Sequence, residues 1–110
     1  MESKITDIKI LIKGAGEMAT GIAHRLYMAG FRKIIMTEIK EPLTVRRTVA
    51  FSEAVYQKKC EVEGVKAQLA DNLDSIDKIW KRGIIAVIVD PDWKSVKKIN
   101  PYVVIDAIMA

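Results

Sequence analysis

An uninterrupted run of apolar residues at 84–89 lies between Gly83 and the pair Asp90-Pro91. A strand with one face in water alternates apolar and polar residues, whereas a run without alternation is typical of a parallel strand covered on both faces. The run is also far too short to cross a membrane, which takes about 20 residues. We therefore predict a sheet with helices packed on both of its sides, and no membrane partner.

Strand-like and helix-like segments alternate along the rest of the chain. Further strands are predicted at residues 8–12, 33–38, 65–69 and 102–105. Helices are predicted from the glycines after the first strand to Gly30, from Pro42 through Tyr56, from Asp71 or Asn72 to Gly83 with Trp80 on the buried side, and over 93–99. The order predicts an α/β fold: a Rossmann-like, doubly wound parallel sheet of about five strands, joined by right-handed crossovers, with helices on both faces.

Size, charge and cysteine content restrict the class of protein. A chain of 110 residues, 50% hydrophobic and 29% charged, fits one globular domain. The net charge of +4 is spread over both halves, so we predict no nucleic-acid partner. A single Cys and a polar start favour the cytoplasm. Because apolar residues 107–110 directly follow a strand, we expect 1–110 to be one Rossmann-like domain, the first of a longer protein.

The strongest local motif joins the first strand to the first helix. Gly14, Ala15, Gly16, Glu17, Met18 and Ala19 form G-x-G-x-x-A, in the strand–turn–helix context of a dinucleotide-binding fingerprint. The first glycine permits a tight turn, the second lets a pyrophosphate approach, and the alanine lets the helix pack closely on the sheet. The helix N-terminus then attracts an anion. The alternative is that the glycines only form a tight turn.

Three charged positions bear on which nucleotide is bound. Glu38 ends the second strand at roughly the spacing, about 20 residues, at which an acid accepts hydrogen bonds from a ribose. Arg46 and Arg47 lie in the first turn of the next helix, where cations oppose the helix dipole. Either a phosphate binds there, or the pair lies on a solvated helix face and is balanced by Glu41 and Glu53. Glu38 favours the free ribose of NAD and the arginine pair favours the phosphate of NADP, so both remain candidates. Glu17, beside the second glycine, could repel a pyrophosphate.

Other polar residues offer no complete catalytic set. Asp90 and Asp106 follow or end predicted strands, at the edge where open α/β sheets bind ligands, although Asp90 before a proline also suits a turn. His24 and Cys60 have no partners in sequence that suggest catalysis, and no metal-ligand spacing is present. Whether the protein is an enzyme therefore stays open.

Several segments together resemble one family. They are KGAGEMATG at 13–21, MTEIKEP at 36–42, VRRTVAFSEAVY at 45–56, VEGVKA at 62–67 and VDP at 89–91. The chain resembles the amino-terminal part of the selenium-dependent molybdenum hydroxylase accessory proteins, the YqeB-like family. This family is related to the XdhC type of xanthine dehydrogenase accessory factor through a Rossmann-like domain. The resemblance covers nearly the whole chain and implies a longer protein.

The resemblance implies a role in maturing a molybdenum hydroxylase, through handling or inserting the molybdenum cofactor. The shared motif residues are Gly14, Gly16, Glu17, Glu38, Arg46 and Arg47, with Asp90 and Asp106 in two further matching segments. The leading hypothesis is thus a nucleotide-binding accessory domain, with NAD or NADP as ligand and a molybdenum hydroxylase as partner. One alternative is an NAD(P)-dependent oxidoreductase whose catalytic residues lie in a second domain. The other is a nucleotide-sensing regulatory module without turnover, which predicts a homodimer.

Overall fold

The computed structural model describes residues 7–38, 50–51, 53–89 and 98–107. In chain order its elements are β1 (Lys9–Lys13), α1 (Glu17–Met28), β2 (Lys33–Glu38), α2 (Glu53–Gln57), β3 (Lys59–Val62), β4 (Val65–Leu69), α3 (Leu73–Lys81), β5 (Ile85–Val89) and β6 (Val103–Asp106). None of the helices in these ranges is long and apolar enough to cross a membrane.

Within these ranges the strands form one six-stranded mixed sheet in the order β3-β4-β5-β2-β1-β6. Neighbouring strands from β4 to β6 are parallel, and β3 alone pairs antiparallel, with β4. β1 therefore lies between β2 and β6, so the segment after β1 leaves the sheet at a position flanked on both sides by parallel strands.

The two faces of the sheet are covered by different helices. Because side chains alternate along a strand, Ile12 and Met36 face one way and pack with α1 and Phe51. Leu11 and Ile35 face the other way and pack with α3. The α/β class predicted from the sequence is confirmed, and helices lie on both faces of the sheet.

The prediction of about five strands, all parallel and all joined by crossovers, is wrong at β3. β3 and β4 form a hairpin through Glu63 and Gly64, whose φ angles are 47° and 83°. Positive φ at both central residues is the geometry of a tight two-residue hairpin turn. Among the described strands β3 pairs only with β4, and it exposes Lys59 and Glu61, so its sequence lacks the apolar character of the buried strands.

The helix predicted from Pro42 through Tyr56 is only partly within the described residues. There the chain bends at Ala50 and turns at Phe51, and α2 begins at Glu53, so residues 50–51 are not helical. The earlier part, with Arg46 and Arg47, lies outside the described residues, as does most of the helix predicted at 93–99.

The predicted ends of α1 and α3 agree with the structure. Gly30 and Gly83 follow the two helices with φ angles of 109° and 72°, the left-handed conformation that commonly ends a helix. Asn72 caps α3, and Trp80 on that helix is buried, with its indole Nε1 donating to the Ile34 carbonyl at 2.8 Å. This hydrogen bond fixes α3 to the middle of the sheet, so Trp80 is a core residue, as predicted.

Candidate functional site

The strand–turn–helix motif begins with a sharp change of direction at Gly14. The Gly14 amide donates to the Thr37 carbonyl at 2.7 Å, so the pairing of β1 with β2 extends one residue beyond Lys13. The φ angle of Gly14 is 106°, a conformation that residues with a side chain rarely adopt. The chain leaves the sheet here, and the predicted turn role of Gly14 agrees with this geometry.

The start of α1 is open at Gly16. Gly16 is the N-cap residue, in extended backbone with φ −73°, and the first helical bond runs from the Thr20 amide to its carbonyl at 2.8 Å. Within the described ranges, no side chain caps this end, and a Cβ built on Gly16 meets nothing within 4 Å. The amides of the first helical turn precede that bond and carry the positive end of the helix dipole.

Buried small residues hold the turn against the sheet. Ala15 and Ala19 are fully buried, and both belong to the core cluster that includes Ile12. The close packing predicted for Ala19 is therefore observed. Met18, by contrast, is 53% exposed at the rim of the turn. Glu17 begins α1, and its side chain lies outside what the structure describes.

Thr20 links the turn to the segment before α2, a contact that the sequence analysis missed. Its hydroxyl donates to the Ala15 carbonyl at 3.2 Å and accepts from the Phe51 amide at 2.9 Å. Thr20 is buried, so these bonds are shielded from water. The available signal was a hydroxyl residue on the inner side of a helix that is otherwise alanine-rich.

Glu38 lies on the glycine turn itself. Its carboxylate Oε2 accepts a hydrogen bond from the Ala15 amide at 2.8 Å, and the side chain is half-buried. A hydrogen bond to an ionised acceptor is stronger than one between neutral groups. The structure thus brings together the two features that the sequence analysis paired, the G-x-G-x-x-A turn and the acid that ends β2.

Asp106 lies at the same end of β1 as Glu38, but on the opposite face of the sheet. It is in register with Lys13, and the next amide, of Ala107, donates to the Lys13 carbonyl at 3.0 Å. Strand alternation directs exposed Asp106 to the α3 side, whereas Glu38 lies on the α1 side like Met36. Asp106 and Glu38 therefore flank the end of β1 from opposite faces. Asp90, Arg46 and Arg47 lie outside the described residues.

The remaining titratable groups of interest lie elsewhere. His24 Nε2 is 3.3 Å from the Glu63 carbonyl oxygen, so it contacts the β3–β4 hairpin. Cys60, on β3, is half-buried, with its Sγ 3.7 Å from the Phe51 carbonyl oxygen. In the parts of the chain that the structure describes, no three His, Cys, Asp or Glu side chains are grouped to hold a metal ion. The open helix end and the neighbouring carboxylate can bind an anion and a hydroxyl group.

These features define an α/β domain in which an acid contacts a glycine turn between a strand and a helix. Over 101 residues the chain is 46% identical to the protein YqeB of Escherichia coli strain K12. The match covers 92% of this chain and 18% of YqeB, so the chain spans less than a fifth of the length of this relative. No protein-family model and no solved structure matches the chain. The identity supports the resemblance to the YqeB-like family that the motifs indicate.

Proposed function

We propose that this chain is a Rossmann-like, doubly wound domain that binds a dinucleotide, NAD or NADP, at the Gly14–Ala19 turn. The observation that carries the proposal is the hydrogen bond from the Ala15 amide to the Glu38 carboxylate. It joins Glu38, the acid that we propose binds the ribose, to the turn that we propose binds the phosphate. The domain acts as an accessory module in maturing a selenium-dependent molybdenum hydroxylase.

The two ends of the turn suit two parts of a dinucleotide. Among the described residues, the α1 N-terminus has no side-chain cap and no atom lies within 4 Å of a Cβ built on Gly16, which supports the approach of a pyrophosphate to the first-turn amides. Glu38, whose Oε2 accepts from the Ala15 amide, ends β2 with a carboxylate, the group that accepts hydrogen bonds from ribose hydroxyls in dinucleotide sites. Both groups lie at the carboxyl ends of parallel strands, where open α/β sheets bind ligands.

The likeness to dinucleotide-binding folds concerns the β1–α1–β2 unit. In the common order of such folds, the strand beside β2 is the next one in sequence. Here β5 lies beside β2, and β4 and β3 lie beyond it. A ligand that crosses the end of β1 from the β2 side would therefore meet the end of β6, the strand on the other side of β1.

The choice between NAD and NADP depends on two opposing groups. The carboxylate of Glu38 repels a 2′-phosphate and favours the free hydroxyl of NAD. Arg46 and Arg47 would favour NADP if they reached the same ribose.

Calorimetric titration with NAD, NADP, ATP and CTP tests the proposal. We expect the chain to bind NAD or NADP, and Glu38→Gln to lower the affinity about 10-fold or more, because a hydrogen bond to a charged group contributes about 1.5–3 kcal/mol. Glu61→Gln, at an exposed position on β3, is the matched control because it removes the same charge. Absence of binding by the unaltered chain, or an equal loss in both variants, would overturn the nucleotide site.

The maturation role is tested in cells. Deleting the gene should lower the activity of a selenium-dependent molybdenum hydroxylase in the host without lowering the amount of that enzyme. The unaltered gene should restore the activity, and the Glu38→Gln variant should restore less of it than Glu61→Gln. An unchanged hydroxylase activity in the deletion strain would contradict this part of the proposal.

A further inference from the structure

The turn that begins at Gly14 is held in place through its backbone, because the residues Gly, Ala and Gly that form it carry at most a methyl group. The Gly14 amide donates to β2, at the Thr37 carbonyl. The Ala15 amide also donates to β2, at Glu38 Oε2. The Ala15 carbonyl accepts from the other direction, from the Thr20 hydroxyl on α1 at 3.2 Å. Ala15 is therefore bound both by the strand that carries the acid and by the helix.

The hydroxyl of Thr20 does not bind where a helical threonine usually binds. In a helix the threonine hydroxyl commonly donates to the carbonyl three or four residues earlier. Here the Gly16 carbonyl, four residues earlier, accepts from the Thr20 amide at 2.8 Å. The hydroxyl donates to the Ala15 carbonyl, which precedes the N-cap residue of α1. This bond thus joins α1 to the turn and is not part of the regular helical pattern.

The Phe51 amide determines the direction of the bond between Thr20 and Ala15. A backbone amide can only donate, so the Thr20 oxygen accepts from Phe51 at 2.9 Å, and its single hydrogen remains for the Ala15 carbonyl. Thr20 is 3% exposed, and Ala15 and Phe51 are fully buried, so water does not compete for these groups. One hydroxyl thus serves two buried backbone groups from distant segments of the chain.

We propose that Thr20 is a positioning residue of the dinucleotide site, an inference that rests on the proposed function for its ligand. The hydroxyl fixes the Ala15 carbonyl. Because only two dihedral angles separate the carbonyl of a residue from its amide, the hydroxyl also restrains the amide that binds Glu38. If Thr20 only satisfied the Phe51 amide, loss of its hydroxyl would not disturb the Ala15 amide.

Amide hydrogen exchange of the unliganded chain tests the positioning. Thr20→Val removes the hydroxyl and keeps the branched shape, so the Ala15 and Phe51 amides should exchange at least about 10-fold faster. Thr20→Ser keeps the hydroxyl and should leave both rates within about three-fold. The Ser75 amide, at the start of α3, is the internal control because a general loss of stability would speed its exchange too. Faster exchange at Phe51 without Ala15, equal acceleration at Ser75, or equal effects of valine and serine would overturn the positioning role.

Titration with NAD and NADP tests the consequence for the ligand. Thr20→Val should lower the affinity about 10-fold, the loss expected for one misplaced hydrogen bond, whereas Thr20→Ser should bind within about three-fold of the unaltered chain. Thr20→Ala also lacks the hydroxyl but favours the helix, so it provides the same comparison if the valine variant does not fold. Unchanged affinity without the hydroxyl would contradict the role of Thr20. If the unaltered chain binds neither dinucleotide, the nucleotide site fails, and the exchange rates alone decide whether Thr20 positions the turn.

Discussion

The helices α1 and α3 begin in different ways although both follow a parallel strand. At α3 the Asn72 side chain accepts from the Ser75 amide at 2.9 Å, and the Asn72 amide donates to the Ser75 hydroxyl at 3.4 Å. At α1 the equivalent position is Gly16, which has no side chain to accept from the helix. Both helices end similarly, at a glycine with positive φ.

The difference separates a structural helix start from one suited to a ligand. The capping box supplies the Ser75 amide in the first turn of α3 with an acceptor from within the chain, which stabilises the helix. The start of α1 lacks that stabilisation, and within the part of the chain that the structure describes nothing lies within 4 Å of a Cβ built on Gly16, next to the turn whose Ala15 amide donates to Glu38. In our proposal the dinucleotide supplies what Asn72 supplies at α3.

The largest effect is expected at the turn that leads into α1. Gly14→Val should lower the free energy of unfolding by at least about 2 kcal/mol, because a β-branched residue is strained at a φ of 106°. Gly21→Ala is the control: Gly21 lies in α1 with nothing within 4 Å of an added Cβ, so this change should stabilise by up to about 1 kcal/mol. Urea unfolding measures both. Similar stability in Gly14→Val and the unaltered chain would mean that the turn does not require glycine.

An intermediate effect is expected at the cap of α3. Asn72→Ala should cost about 1 kcal/mol of stability, since the Ser75 amide loses its acceptor. Dinucleotide affinity should not change, because this helix start lies outside the proposed site. Asp71→Ala, at the neighbouring exposed position, should change the stability by less than about 0.5 kcal/mol. Equal losses in the two variants would show that the cap does not stabilise α3.

Local signals were sufficient to predict the elements that form the site. β2 was predicted with its observed bounds, Lys33–Glu38, and the glycines at 14, 30 and 83 were assigned to turns or helix ends where positive φ is found. These predictions succeeded because a few consecutive residues are enough to recognise a glycine that suits positive φ and a strand that is buried on both faces.

Contacts between distant segments could not be predicted in the same way. β3 was missed because its charged outward residues resemble a loop, and its strand character comes from pairing with β4. The Thr20 hydroxyl bonds to the Phe51 amide across 31 positions, and Glu38 reaches Ala15 across 23. Sequence spacing suggested that the acid and the turn serve one ligand, but only tertiary structure reveals their direct hydrogen bond.

The smallest effect on stability, and the sharpest test of the comparison, is expected from giving α1 the cap of α3. Gly16→Asn should change the free energy of unfolding by less than about 0.5 kcal/mol, because Gly and Asn differ by only a few tenths of a kcal/mol as N-caps and the added Cβ meets no atom of the described residues within 4 Å. Dinucleotide affinity should nevertheless fall about 10-fold or more, since the asparagine oxygen would occupy amides that the pyrophosphate needs.

Gly16→Ala separates this competition from simple obstruction at Gly16. Alanine adds a Cβ and no hydrogen-bond acceptor, so it should weaken dinucleotide binding less than asparagine while destabilising the helix more, because alanine is a poor N-cap. Gly16→Asn should therefore show the larger loss of affinity, and Gly16→Ala the larger loss of stability. Equal binding by the unaltered chain and Gly16→Asn would mean that the amides at the start of α1 do not contact the ligand, and the contrast between the two helix starts would then have no functional meaning.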